Sequence, residues 1–302
     1  MPPVTGPTSR SDEWLFRRAL CHFSGGHVMT SIDMQTPSTR PSVGRLRRLI
    51  AATPVTAFSI MAFGLGWPLL LIRTTTDFAS VPVGYAYTYV ALLGSALVVT
   101  WAGGGRAGVG RFLSRYLMWR LGAPRWAMVV LALPALTVAV AAVSGTLHVA
   151  GHGWAYVAWL FLLNTFITGA LEVNLAEEGG WSGLVQTEFA ARHGLLRGAL
   201  CTSPLFVAVH IPLQFSEGWT WGGVAGGVVV LAVIAPFFRY VIGETLEATG
   251  GSLLAAGILH AAFNASGSLG FPGGWQFLPA LLLLSLGIAV TRWSRRRRGA
   301  AE

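Results

Sequence analysis

Three short stretches put ionisable or amide side chains next to, or inside, long apolar runs. They are Glu177-Glu178-Gly179-Gly180-Trp181-Ser182-Gly183, Phe206-Val-Ala-Val-His210 and His260-Ala-Ala-Phe-Asn264. Two adjacent carboxylates at the margin of an apolar run are unfavourable in hydrocarbon, where ions are poorly solvated, so such residues are functional or paired by default. The competing reading is that the pair lies just outside the lipid and marks where the run from Ala155 to Ala176 ends. The two later stretches weigh against it. His260 and Asn264 are four apart and share a helix face, and so do Phe206 and His210. A carboxylate, two imidazoles and a carboxamide form a hydrolytic set. Glu177 or Glu178 can take a proton from water as general base, and His210 can help hold that water, directly or through a metal. His260 and Asn264 can donate hydrogen bonds to a developing oxyanion. Either histidine taken alone reads as a polar residue packed against a neighbouring helix; only the three stretches together make a site.

The elements that must carry these residues are membrane spans. Of the 302 residues, 53% are hydrophobic and 11% charged, against roughly 25% charged in an ordinary soluble domain. Eight apolar runs follow one another at about 49–72, 81–103, 126–147, 155–176, 198–215, 220–242, 252–270 and 275–291, each near the ~20 residues that cross a bilayer. The expected fold is an all-α, polytopic helical bundle of about eight transmembrane helices over residues 45–292, with a catalytic core at about 155–290. A disordered tail is expected over residues 1–44, where Met29 or Met34 could serve as an alternative start. A basic tail is expected over 293–302. At ~1.5 Å per residue His260 falls about 12 Å into its span from Ser252. Glu177 reaches a similar depth only if its span runs on past Ala176.

Charge sets the orientation. All 21 basic residues are arginine, and the formal net charge is +9. The arginines crowd before the first run, after the second and fourth, and in Arg295-Arg296-Arg297-Arg298; the connector after the sixth run carries Arg239 with Glu244 and Glu247, and the alternate loops carry only Arg73. The positive-inside rule then puts both termini in the cytoplasm of a cell whose composition looks bacterial, with the site opening towards the cytoplasmic side of the inner membrane. Anionic headgroups explain the basic balance better than nucleic acid does. Arg111 to Leu121 mixes basic and bulky apolar residues at helical spacing, as a helix in the headgroup layer would. Cys21 and Cys201 have neither disulfide nor metal-site spacing. Asn164, Asn174 and Glu172 read as structural, the two asparagines as candidate bridges between helices.

The diglutamate, Phe-x-x-x-His and His-x-x-x-Asn in this order resemble the CPBP family of intramembrane proteases, also called the type II CAAX-prenyl-endopeptidase or ABI family. His210-Ile-Pro212-Leu213 and Thr249-Gly-Gly-Ser-Leu-Leu add to the likeness. The resemblance implies an intramembrane endopeptidase that cuts a membrane-associated protein or peptide. In it Glu177 activates water, Glu178 is structural, His210 works with the water, and His260 and Asn264 stabilise the oxyanion. Glu177, His210 and His260 could also supply three ligands to a divalent metal such as zinc. The two histidines lack the His-x-x-x-His spacing of many zinc proteases, and Asn264 is a poor zinc ligand, which favours a metal-free mechanism. One position departs from the family pattern: Ser182 stands where an arginine would pair with a carboxylate. That leaves Glu178 without an evident partner unless Arg192 or Arg197 reaches in, and it opens a second reading, a catalytically silent scaffold or immunity-type protein. A proton-coupled transporter is disfavoured by the absence of paired broken spans. On the sequence alone, Ser182→Arg is expected to be tolerated or to raise activity, because it restores the missing partner.

Overall fold

The computed structural model describes residues 44–75, 80–148, 153–215, 220–269, 271–272 and 274–299. The tail expected over 1–44 therefore lies outside the described residues except for Gly44. Among the described residues every regular element is helical. A short helix α1 (Arg45–Ala52) precedes α2 (Pro54–Thr75), α3 (Pro82–Leu117), α4 (Ala123–Val143) and α5 (Gly153–His193). Then come α6 (Leu195–His210), α7 (Trp221–Ala248), α8 (Leu253–Gly267) and α9 (Phe277–Gly299). Helices α2 to α9 stand where the eight apolar runs predict them. Seven are long and apolar enough to cross a membrane, and α8 is shorter. The chain is a multi-pass membrane protein.

The eighth helix can be short because of where it sits. At 15 residues it is about 22 Å long at ~1.5 Å per residue, less than the ~30 Å hydrocarbon core. Most of its side chains are buried, from Leu253 and Ala255 through His260 to Ser266. A helix enclosed by protein does not have to match the lipid. Its start is fixed by Ser252, whose hydroxyl accepts from the Ala255 amide at 3.1 Å, the usual way an N-cap satisfies a free donor.

Helix α5 departs most from expectation. The apolar run ends near Ala176, but the helix does not; it continues through the diglutamate and the Gly-Gly pair to His193, 41 residues in all. Two π-helical stretches, Asn164–Asn174 and Trp181–Gln186, bracket Leu175–Gly180. Such wide turns cluster at functional sites, because they rotate the following face of the helix. The hydrophobic run stops at Ala176 because polar residues begin, yet these are buried against other helices, not exposed to water. The carboxylates are thus inside the bundle and do not mark the end of a span.

The arginine-rich ends lie together. Arg47 donates to the Ala102 carbonyl at 3.1 Å. Arg292 pairs with Glu244, and with Glu247 at 2.7 Å. Gly105, at φ 59°, breaks α3, a backbone conformation that glycine adopts without a Cβ penalty. The segment after this kink is the helix expected in the headgroup layer. It does not lie free on a membrane surface: Phe112 is buried, and Arg115 donates to the carbonyls of Gly251 at 2.8 Å and Gly183 at 3.0 Å. It closes the bundle beneath α5 and α8. Helix α9 likewise continues into the expected basic tail, to Gly299.

The positive-inside expectation of cytoplasmic arginine-rich ends requires exposed positions at opposite ends of the bundle to differ in access. In a background lacking Cys21 and Cys201, Ser144→Cys should react with an impermeant thiol reagent on intact cells, and Gly110→Cys should react only after the membrane is opened. Labelling of Gly110→Cys in sealed cells would reverse the orientation.

Candidate functional site

The polar centre of the bundle is a buried ion pair that the sequence reading missed. Arg239, within α7, is fully enclosed, as is Glu178. Arg239 Nη1 donates to both Glu178 carboxylate oxygens, at 2.9 and 3.1 Å. Nη2 donates to Ser182 Oγ at 2.8 Å and to Gln186 Oε1 at 2.5 Å, and Nε donates to the same amide oxygen at 2.8 Å. Gln186 Nε2 in turn donates to the Arg239 carbonyl at 2.6 Å. The Ser182 hydroxyl completes the ring by donating to Glu178 Oε2. The planar fork of a guanidinium suits this multidentate role, and nearly all its donors are used.

This arrangement corrects the expectation about Ser182. Arg192 does not reach Glu178; it forms an i,i+4 pair with Glu188 at 3.0 Å on the exposed part of α5. Arg197 is exposed. The arginine that the family pattern places four residues after Glu178 is supplied instead from α7, and Ser182, small and hydroxylated, makes room for it and bonds to it. A signal existed in the sequence. Arg239 falls inside the run at 220–242, where an ionisable residue is a functional candidate by default; assigning it to the following connector hid it.

The two glutamates are held differently. Glu178 Oε1 also accepts from His260 Nδ1 at 2.8 Å, so its two oxygens take contacts from Arg239, Ser182 and His260. Glu177 is 5% exposed, has Oε2 3.9 Å from His260 Nδ1, and lines a cavity of about 530 Å³. His210, His260 and Asn264 line the same cavity. All five expected site residues are therefore brought together, four on the cavity and Glu178 behind His260.

Hydrogen bonds fix the imidazoles. His210 Nδ1 lies 2.6 Å from the Phe206 carbonyl. A carbonyl only accepts, so Nδ1 carries the proton, and in the neutral ring Nε2 is a free acceptor. His260 Nδ1 is committed to Glu178 in the same sense. Aromatic rings hold both in place: Phe206 sits 4.5 Å from the His210 ring, and Phe238 sits 4.8 Å from that of His260. Trp181 packs edge-on to Phe206 at 5.8 Å and to Phe58 at 5.4 Å. Gly180 permits that approach, since a Cβ there would lie 2.7 Å from Phe58 Cζ.

Asn174, Tyr87 and Arg73 also line the cavity. Asn174 accepts from Asn264 Nδ2 at 3.5 Å, bridging α5 and α8 as expected. Asn164 makes no such bridge among the described residues; its amide oxygen accepts from Thr168 at 3.2 Å within α5. Tyr87 lines the cavity, and its buried hydroxyl has no partner among the described residues. Arg73 lines the cavity with Leu213, Gly267 and Phe277, all at helix ends remote from the arginine clusters. The lining thus reaches towards the ends remote from the arginine clusters, whereas the sequence reading opened the site on the arginine-rich side.

A metal would need its ligands to converge. Among the described residues no three His, Cys, Asp or Glu side chains form such a group. Glu177, His210 and His260 share the cavity without meeting as a ligand set, and His260 Nδ1 is already taken by Glu178.

Residues 158–266 match the family model described as Type II CAAX prenyl endopeptidase Rce1-like. The matched stretch contains Glu177, Glu178, Ser182, His210, Arg239, His260 and Asn264, and in it the chain is similar to that family. No curated protein matches the chain.

Moving the arginine tests the site's architecture. Arg239→Leu strands a buried carboxylate, a change that costs about 3–5 kcal/mol when a buried pair loses one member. Ser182→Arg now crowds a second guanidinium into a filled site, so it too should lower the detergent-solubilised melting temperature, contrary to the expectation from sequence. The double variant Ser182→Arg/Arg239→Leu returns the charge to the family position and should recover a clear part of the loss. Additive losses in the double variant would show that the two positions do not share one arginine site.

Proposed function

We propose that the protein is an intramembrane endopeptidase that hydrolyses a peptide bond of a membrane-associated protein or peptide by metal-free, glutamate-activated water. The observation that carries this reading is the division of labour between the two carboxylates: Glu178 is saturated by Arg239, Ser182 and His260, while Glu177 faces the cavity beside His210 and His260. The free carboxylate is the one that can act as base.

The steps use the chain's own groups. A water bound between Glu177 and His210 Nε2 attacks the scissile carbonyl carbon, and its proton passes to Glu177. The carbonyl oxygen takes up the negative charge. Asn264 Nδ2 and the His260 ring, both on the cavity, stabilise that charge. Glu177 then returns the proton to the leaving nitrogen as the C–N bond breaks. The low-dielectric setting strengthens each of these interactions. Tyr87, with its unpaired hydroxyl, offers a further donor to the substrate backbone. The silent-scaffold reading rested on the missing arginine, and Arg239 in contact with Glu178 removes that reason for it.

The test is cleavage of membrane-proximal peptides by the purified full chain. His210→Ala should lower turnover by about 10²-fold or more, the scale of a lost acid–base partner. A strong chelator should leave the native enzyme active, with zinc content below stoichiometric. Inactivation by chelation that zinc reverses, at unchanged thermal stability, would make the metal catalytic. Turnover unchanged by His210→Ala would remove the histidine from the mechanism.

A further inference from the structure

A second cavity, of about 570 Å³, opens between α4, α7 and α9, with α8 at its back. It is distinct from the site above: Leu259 faces it, while the next residue, His260, faces the catalytic cavity. Its walls are apolar, formed by side chains such as Leu136, Leu259, Leu284 and Ile288. Its rim is cationic, with Arg125, Arg292 and Arg295 against the single carboxylate of Glu244. Arg292 is occupied by Glu244 and Glu247. Arg125 and Arg295 are exposed and have no carboxylate partner among the described residues.

We infer that this cavity binds an anionic phospholipid, with acyl chain between the helices and phosphate at Arg125 and Arg295. Depth supports a lipid over a soluble anion. From Arg295 to Leu284, and from Arg125 to Leu136, each helix advances eleven residues, roughly 16 Å at ~1.5 Å per residue. That is about half the ~30 Å hydrocarbon core, the depth of one leaflet. Charge supports an anionic headgroup. The rim lies at the arginine-rich end, and basic pockets between helices at the cytoplasmic surface are where anionic headgroups bind. The apolar walls alone would accept any acyl chain; the two guanidiniums without a carboxylate partner, of which Arg125 donates to the Leu121 carbonyl at 3.0 Å, give the preference its sign. No part of this depends on peptidase activity.

The experiment titrates the full chain, delipidated in detergent, with phosphatidylglycerol, with phosphatidylcholine of the same chains, and with inorganic phosphate, and reads bound lipid by native mass spectrometry and melting temperature. Phosphatidylglycerol should bind at least about tenfold more tightly than phosphatidylcholine, and phosphate alone should not raise the melting temperature. Arg125→Gln/Arg295→Gln, both at exposed positions, should abolish the preference and leave weak binding of either lipid. Gly287→Phe should remove binding of both lipids, because Gly287 lines the cavity and a Cβ there meets no atom within 4 Å. Equal binding of the two lipids, or a preference that survives the double arginine variant, overturns the proposal. Stabilisation by inorganic phosphate as strong as by the lipid replaces it with a free-anion site.

Discussion

A carboxylate and a guanidinium, both without solvent contact, face each other at the centre of this bundle, and much of the site's geometry follows from keeping them together. Neither Glu178 nor Arg239 could remain charged there alone, since each would lose its hydration without compensation. Together, with Ser182 and Gln186, they satisfy one another's hydrogen-bonding capacity. The pair ties α5 to α7, and through His260 it reaches α8. It therefore fixes three of the helices that carry the candidate chemistry, and it does so with directional contacts that apolar packing between helices in lipid does not supply.

From that anchor the roles separate. Because Glu178 is consumed, its neighbour Glu177 is left to the cavity. Because Glu178 takes His260 Nδ1, and the Phe206 carbonyl takes His210 Nδ1, both rings turn their Nε2 atoms away from the structure that holds them. Phe206 and Phe238 flank the rings and also lie 5.4 and 5.8 Å from the Arg239 guanidinium carbon, so one pair of aromatic side chains packs the ion pair and the imidazoles at once. The bulk this requires, Trp181 included, is accommodated where the opposing helix face is bare. Gly180 is such a place, directly against Phe58.

Much of this was legible in the sequence. The eight apolar runs locate the eight helices, and the three polar stretches name every residue expected at the site. The misreadings share one cause. Hydropathy reports where a chain could meet lipid, not where it is enclosed by protein. Thus the apolar run ends at Ala176, although α5 continues with its polar residues buried. Arg239, grouped by its charge with Glu244 and Glu247 of the connector, sits within α7. Spacing along one helix cannot show that an arginine missing from α5 after Glu178 is replaced across the bundle from α7; that is a fact of tertiary contact.

The central claim is that adjacent, chemically identical carboxylates have been divided by their surroundings into an anchor and a base. Substituting each by its amide isostere measures that division. Glu177→Gln should leave the melting temperature within about 1 °C of the native chain and abolish peptide cleavage, because it removes a base and no buried charge partner. Glu178→Gln should lower the melting temperature by several degrees, because it leaves the Arg239 guanidinium buried and unpaired. The reverse pattern, a stable Glu178→Gln and an unstable Glu177→Gln, would contradict the account.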